Sequence, residues 1–107
     1  MDAFNLHIVH VYWGNEGKRR PVLILSQAGD KVSAFKITTQ YQNKSDAVRS
    51  NLFAINNWES AGLNKPSYID IGTIVGLPLS LIEIHPIGKL SINDKIRLEK
   101  LLAERNV

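Results

Sequence analysis

Three cations stand directly before an apolar run near the start of the chain. Lys18, Arg19 and Arg20 are followed by the strand-like residues 21–26. Arg20 precedes a proline, so its backbone is restricted to the extended region and the following strand sets its direction. A guanidinium held in this way can present its planar fork to a phosphate at a reduced entropic cost. Lys18 and Arg19 are expected on the flexible side of a loop, as electrostatic attractors. A basic loop that only contacts solvent is the alternative.

A hydroxyl and an ammonium group form a second candidate. Thr38 and Lys36 alternate with the apolar Phe35 and Ile37, so the two polar side chains should share one face of a strand. Together they can bind an anion. Threonine is also a common residue on strand surfaces, so ordinary surface chemistry is the competing interpretation.

Two carboxylates are candidates for a general base. Glu16 lies four residues before Arg20, and Asp70 lies in an alternating segment on the same side as Tyr68. Either can accept a proton if the fold brings it near Arg20 and Thr38, and either can equally be a surface charge. The sequence leaves the choice between them open.

The sequence predicts neither a metal nor a cofactor. The chain has no cysteine, and His7 and His10 are three apart in a predicted strand, so they face opposite sides. No phosphate-binding glycine loop or nucleophile elbow occurs. Trp13 and Trp58 are expected in the core or an interface, whereas three tyrosines leave base stacking possible: Tyr12, Tyr41 and Tyr68.

The composition predicts one small domain over residues 1–107. The formal charge is +3, with 13 Lys and Arg against 10 Asp and Glu, a mild bias toward polyanions. An apolar content of 44% argues against disorder. The N-terminal residues lack the features of a secretion signal, and no apolar run reaches the roughly 20 residues needed to cross a bilayer. We expect a cytoplasmic protein without a membrane partner.

The elements that position these candidates are mostly strands. Pro21 is expected at the first position of its strand because it has no N–H. The predicted strands are residues 6–13, 21–26, 31–40, 51–55 and 67–71, followed by short strands over 72–85 with a turn at Pro78. The intervening segments are a loop at 14–20, a hairpin turn at 27–30, a loop or short helix at 41–50 and an irregular turn at 57–63.

The last segment predicts an amphipathic helix. Ser91 and Asp94 resemble a capping box at its start. The polar stripe is Asn93, Arg97, Lys100 and Glu104, and the apolar side is Ile92, Ile96, Leu102 and Ala103. The whole pattern favours a small, mostly antiparallel β-barrel or curled sheet with a packed C-terminal helix.

Four motifs, in order and spacing, resemble the MazF/PemK family of bacterial toxins. The first pairs a G-x-E turn with an R-P-V-L run and is Gly14-Asn15-Glu16 with Arg20-Pro21-Val22-Leu23-Ile24-Leu25. The others are Ile37-Thr38-Thr39-Gln40, then Ser67-Tyr68-Ile69-Asp70 with Gly72-Thr73-Ile74, and Ile87-Gly88-Lys89-Leu90-Ser91. The resemblance covers nearly the whole chain. It implies the SH3-like barrel called the CcdB/PemK toxin fold, and a homodimer.

The resemblance also implies an activity and its residues. It implies a metal-independent, sequence-specific endoribonuclease toxin that cleaves single-stranded RNA and is inhibited by a cognate antitoxin. A ribose 2′-OH attacks the adjacent phosphate and leaves a 2′,3′-cyclic phosphate and a 5′-OH. The implied catalytic residues are Arg20, Thr38, Glu16 and Asp70, and the implied RNA-binding residues are Asn15, Lys18, Arg19, Lys36, Gln40 and Tyr68.

Departures from the family pattern motivate two further hypotheses. Asn5-Leu6-His7 stands where members carry a basic-Gly-acidic triplet, and Tyr68 and Gly72 stand where some members carry RNA-contacting arginines. The first alternative is a member that binds RNA or protein without cleavage. The second is a gyrase poison like the CcdB toxins. It is disfavoured because the chain ends Glu104-Arg105-Asn106-Val107 instead of Trp-Gly-Ile.

Overall fold

The structure, a computed structural model, describes residues 7–13 and 19–105. It is mostly antiparallel β-sheet with a C-terminal helix, as predicted. The elements are β1 (His7–Trp13), β2 (Arg19–Ala28), β3 (Lys31–Thr38), α1 (Asp46–Arg49), β4 (Leu52–Ala54), β5 (Tyr68–Pro78), β6 (Ile82–Lys89) and α2 (Ile92–Arg105). A short 3-10 helix (Leu79–Leu81) connects β5 and β6. The strand order is β4-β5-β3-β2-β1-β6. Within the described residues the sheet is therefore open, with β4 and β6 as its edge strands. No helix in this part of the chain has the length and apolar composition to cross a bilayer.

The sheet is apolar on both faces. One face, here the helix face, carries Leu23, Phe35 and Ile69, which pack in one cluster with Leu98 of α2. The other, here the groove face, carries a second cluster formed by the alternate residues of the same strands, including Val22 and Ala34. The central strand β2 is therefore buried on both faces in its middle, as its continuous apolar run predicts.

A bulge in β5 lets this strand contribute to both clusters. The β3–β5 register changes from Phe35 opposite Ile74 to Lys36 opposite Asp70, so residues 71–73 are extra in β5. Before the bulge Ile69 packs on the helix face, and after it Val75 packs on the groove face. The prediction of several short strands is wrong here, because the bulge bends one continuous strand without ending it.

The start of β2 also differs from the prediction. Arg19 and Arg20 belong to the strand, and Pro21 is its third residue instead of its first. Both arginines pair with β1, opposite Tyr12 and Val11. Cross-strand pairing therefore extends the strand beyond the point where the apolar run begins. Residues 29–30 form the predicted hairpin turn, in which Gly29 has a φ of 60°.

Helix α2 is fastened to the turn after β4 by a buried carboxylate. The Ser91 hydroxyl accepts a hydrogen bond from the Asp94 N–H at 3.2 Å, which confirms the predicted N-cap. Asp94 does not complete a capping box. Its carboxylate accepts from the backbone N–H groups of Asn56 and Asn57, at 3.2 and 2.8 Å, and from Arg97 at 2.8 Å.

The buried side of α2 is therefore different from the predicted one. Ile92 and Ile96 are 75% and 58% exposed, while Leu98 is fully buried. Asp94 must face inward to reach its partners, and residues four and seven positions later share its side of the helix. Ile92 and Ile96, each two residues from Asp94, are thereby turned to the outside. Of the four residues predicted to be buried, Leu102 packs against the core and Ala103 is exposed.

Removing the Asp94 carboxylate should destabilise the fold strongly. Asp94→Ala leaves two backbone donors without their acceptor and removes the ion pair with Arg97. We expect the free energy of unfolding to fall by about 2–4 kcal/mol. Urea denaturation measures this change. Glu99→Ala is the matched control on the same helix, because its partially exposed contact with Lys95 at 4.0 Å should contribute about 0.5 kcal/mol or less. Equal losses in the two variants would contradict this role of Asp94.

Candidate functional site

A groove of about 560 Å³ lies on the groove face of the sheet. Its floor includes Val22, Val75 and Leu77. The polar residues around this floor are Arg20, Lys36, Thr38, Lys44 and Asp70. An adjoining cavity of about 260 Å³ shares Arg20 and Thr38 with the groove and adds Arg19, Gln40 and Ser67. The structure therefore brings four predicted residues to one concave surface and two more to its extension.

The groove lies where β2 and β3 separate. Their pairing reaches Val22 opposite Lys36 and goes no further, although Pro21 still lies opposite His10 of β1. A proline cannot form a reciprocally hydrogen-bonded pair, so Pro21 must direct its backbone toward β3 instead. There it can accept a hydrogen bond and cannot donate one, so the β2–β3 ladder ends. Arg20 and Thr38 lie just beyond this end.

The register arranges the polar residues in two rows on the groove face. In the first row Lys36 lies opposite both Val22 and Asp70. The second row is two residues further on, where Thr38 lies opposite Tyr68 and Arg20 extends β2. Neighbouring strands are about 4.8 Å apart, so each row places its members one strand spacing from the next. Arg20 is exposed and Thr38 half-buried, so both side chains are accessible from the groove.

The Thr38 hydroxyl is oriented by the next turn of the chain. Its oxygen accepts a hydrogen bond from the Gln40 backbone N–H at 3.0 Å. A hydroxyl has one hydrogen to donate, and this contact leaves that hydrogen available to an anion. The Gln40 side chain itself accepts from Asn43 at 3.0 Å, within the same turn. Gln40 thus contacts Thr38 through its backbone, and it also lines the adjoining cavity.

Asp70 is also held by a local contact. One of its carboxylate oxygens, Oδ1, accepts from the Gly72 N–H at 2.9 Å, across the first residues of the β5 bulge. A side chain at position 72 would approach the Asn51 side chain within 2.8 Å, so glycine fits there without a clash. The bulge thus fixes the carboxylate of Asp70, which lines the groove and lies opposite Lys36 in the strand register.

The lining of the groove carries more positive than negative charge. Arg20, Lys36 and Lys44 are cations, and Asp70 is the one carboxylate among the described lining residues. A concave surface of one dominant charge attracts ligands of the opposite charge. Lys44 was not singled out from the sequence because it lies in a polar segment without periodicity. The fold brings that segment over the groove, and Val48 of α1 joins the lining.

An aromatic pair adjoins the second row. The rings of Tyr41 and Tyr68 stack with centroids 4.9 Å apart and an interplanar angle of 26°. The guanidinium carbon of Arg49 lies 5.9 Å from the centroid of the Tyr41 ring. Tyr68 was predicted at the site, and its pairing opposite Thr38 brings it there. The sequence left stacking by Tyr41 possible, but no pattern in it indicated the contact of Tyr41 with Tyr68 or the position of Arg49.

Arg19 faces away from the groove. It follows alternation to the helix face, opposite Tyr12, and reaches only the smaller cavity. The prediction of a flexible loop position is wrong for Arg19, because it belongs to β2. Burial lowers the pKa of His10, and the positive charges of Arg19 and of His85, directly opposite on β6, lower that pKa further.

Three predicted residues, Asn15, Glu16 and Lys18, lie outside the described residues. Within residues 7–13 and 19–105, no three His, Asp or Glu side chains are grouped so as to hold a metal ion. Asp70 is therefore the candidate carboxylate whose surroundings are known.

The His10 surroundings predict a pH dependence of stability. Its pKa is lower in the folded protein than the ordinary value of 6.5. The unfolded chain therefore binds more protons between these two pKa values, and the free energy of unfolding falls as the pH drops below about 6.5. Urea denaturation at pH 7.5, 6.5 and 5.5 measures this fall in the free energy of unfolding. The fall should be smaller for His10→Gln than for the wild type, and that of Arg19→Gln should lie between the two. An identical pH dependence of all three proteins would contradict the assignment to His10.

The site as a whole is a basic groove with a hydroxyl, a carboxylate and an aromatic pair beside it. These groups come from β2, β3, β5 and the segment between β3 and β4. No family model matches the chain, and no curated protein matches it.

Proposed function

We propose that this protein is a metal-independent endoribonuclease of the MazF/PemK type, which cleaves single-stranded RNA. One observation carries the proposal: Arg20 and Thr38 share a face on adjacent strands, at the edge of a positively charged groove. A planar guanidinium and a hydroxyl donor, side by side, suit the non-bridging oxygens of a phosphodiester. The apolar floor and the neighbouring tyrosines suit the sugar and base that accompany this phosphate.

The proposed reaction is an in-line transfer within the RNA. The 2′-oxygen bonds to phosphorus, the bond from phosphorus to O5′ breaks, and a 2′,3′-cyclic phosphate and a 5′-OH result. Arg20 and the Thr38 hydroxyl stabilise the negative charge that develops on the phosphoryl oxygens. A guanidinium is a poor proton donor, so in this proposal water supplies the proton to the leaving O5′.

A carboxylate takes the proton from the 2′-OH. Asp70 lies on the groove lining in the row next to Thr38, and its Oδ1 is fixed by Gly72. Lys36 lies directly opposite Asp70, and both residues line the groove. Glu16 is the other candidate that the family resemblance implies, and it lies outside the described residues. The roles of both acids are separable by substitution.

The proposal extends to the biological setting that the family resemblance implies. The six-stranded sheet would correspond to the SH3-like barrel of that family, and the protein would act in the cytoplasm as a homodimeric toxin. A cognate antitoxin would inhibit it by laying an acidic or amphipathic segment in the positively charged groove. Loss of Arg20 should weaken the binding of the antitoxin and the binding of RNA alike.

Removal of either phosphate-binding group should abolish most cleavage. We expect Arg20→Ala and Thr38→Ala to lower the cleavage rate of mixed-sequence RNA by about 100-fold or more, without a change in Tm. The assay contains EDTA and detects the 2′,3′-cyclic phosphate ends. Matched controls are Lys100→Ala, an exposed cation on α2, and Thr73→Ala, an exposed hydroxyl in the β5 bulge. Both should cleave at the wild-type rate.

Two results would count against the nuclease. Folded wild-type protein in high excess that leaves RNA intact would contradict cleavage. Retention of that RNA with an affinity that falls steeply with salt would favour instead a protein that binds RNA without cleaving it.

The choice of base predicts a separate effect. Asp70→Asn keeps an oxygen for the Gly72 N–H and removes the proton acceptor, so folding should persist while cleavage falls by about 100-fold or more. Affinity for a 2′-O-methyl RNA, which cannot be cleaved, should be unchanged or higher. The measurement is the cleavage rate beside the binding constant. A normal rate for Asp70→Asn with an inactive Glu16→Gln would assign the base to Glu16.

A further inference from the structure

The Tyr41–Tyr68 pair is positioned beside the phosphate-binding residues. Tyr68 lies directly opposite Thr38, and side chains at directly opposite positions project from the same face with Cβ atoms about 5 Å apart. The row across β2, β3 and β5 is therefore a cation, a hydroxyl and an aromatic ring. In a nucleotide, the base and the phosphate are similarly close, since only the ribose separates them. A phosphate at Arg20 and Thr38 would bring an adjoining base toward the tyrosines.

The outer ring of the stack is open to a ligand. Tyr68 is half-buried on the sheet, whereas Tyr41 belongs to the segment after β3 and remains 36% exposed. The two rings already lie nearly parallel, at 26°. A base that stacks on them does not have to order a free side chain first, which lowers the entropic cost of binding.

Helix α1 supplies a cation at the same place. Arg49 lies in its last turn and forms an ion pair with Asp46 in its first turn. Its guanidinium carbon is 5.9 Å from the centre of the Tyr41 ring, near the outer limit of a cation–π contact. Arginine planes stack on nucleobases as well as on tyrosine. Arg49 can therefore exchange its contact with Tyr41 for one with the incoming base or its phosphate.

We propose that the Tyr41–Tyr68 pair is a nucleobase platform that holds the unpaired base next to the phosphate bound by Arg20 and Thr38. This inference rests on the proposed function, since it locates the base by the proposed phosphate site. The ligand class is a single-stranded oligonucleotide. A base in a duplex is already stacked and paired, so it is excluded from the platform. Tyr41 is the base-contacting residue, and Arg49 is its neighbour on the rim.

The test compares two uncleavable probes. One is a 2′-O-methyl RNA heptanucleotide, and the other has the same backbone with abasic sugars throughout. We expect Tyr41→Ala to bind the first probe about 10-fold or more weakly, as the loss of one base–aromatic stack requires, and the abasic probe with unchanged affinity. Tyr41→Phe keeps the ring and should bind both probes like the wild type. Tyr12→Ala, a tyrosine packed edge-on against His85, is the matched control and should also leave both affinities unchanged.

Several outcomes would overturn the platform. In the first, Tyr41→Ala binds the base-containing probe as tightly as the wild type does. In the second, Tyr41→Ala loses the same affinity for both probes. In the third, the wild type binds the heptanucleotide and its blunt duplex equally well. If Tyr41→Ala has a lowered Tm, Tyr41→Leu replaces it, because leucine retains apolar bulk without a ring. The same loss of affinity is then expected for the base-containing probe and not for the abasic probe.

Failure of the platform and failure of the nuclease are distinguishable. Cleavage of ordinary RNA is measured for the same proteins. Wild-type protein that shows the expected probe ratios without cleaving RNA would support the platform and contradict the nuclease. Cleavage by Tyr41→Ala at the wild-type kcat/KM, with unchanged probe binding, would contradict the platform and leave the nuclease standing.

Discussion

The missing N–H group of Pro21 determines where the sheet opens. β2 and β3 pair only as far as Val22 and Lys36, and beyond that point each strand continues with its other neighbour, β1 or β5. Pro21 also restricts the backbone of Arg20 to the extended region. One residue thereby creates both the gap in the ladder and the direction of the cation at its edge. The position of Thr38 across this gap follows from the register of β3 with β5.

A gap alone would not form a binding surface, because a groove also needs a floor and a free face. The three extra residues 71–73 in β5 change which face the following side chains occupy. Ile69, before them, packs on the helix face, and Val75, after them, forms part of the groove floor. Helix α2 covers the helix face, and the buried Asp94 carboxylate fastens it to the turn at residues 56–57. The polar side chains of the groove then lie on the face that α2 leaves open.

Charge and aromatic character are distributed unevenly between the two faces. On the groove face, Arg20 and Lys36 stand with Thr38 and the Tyr68 ring in two adjacent rows. On the helix face, strand alternation places Arg19 near His10, where its charge lowers the histidine pKa. Adjacent arginines in the chain thus have different surroundings, because successive side chains of a strand point to opposite sides.

The sequence by itself determined the mostly β character, the C-terminal helix and the alternation that gives Lys36 and Thr38 a common face, because these depend on local periodicity and turn residues. Only the tertiary structure decided which side of α2 is buried. Asp94 finds its partners 37 and 38 residues away in the chain, and its inward position turns Ile92 and Ile96 outward. It also decided that Tyr41 stacks on Tyr68, beside the row that contains Thr38. Contacts between distant segments leave no periodic pattern in the sequence, and the strand register that creates them is set by pairing across the whole sheet.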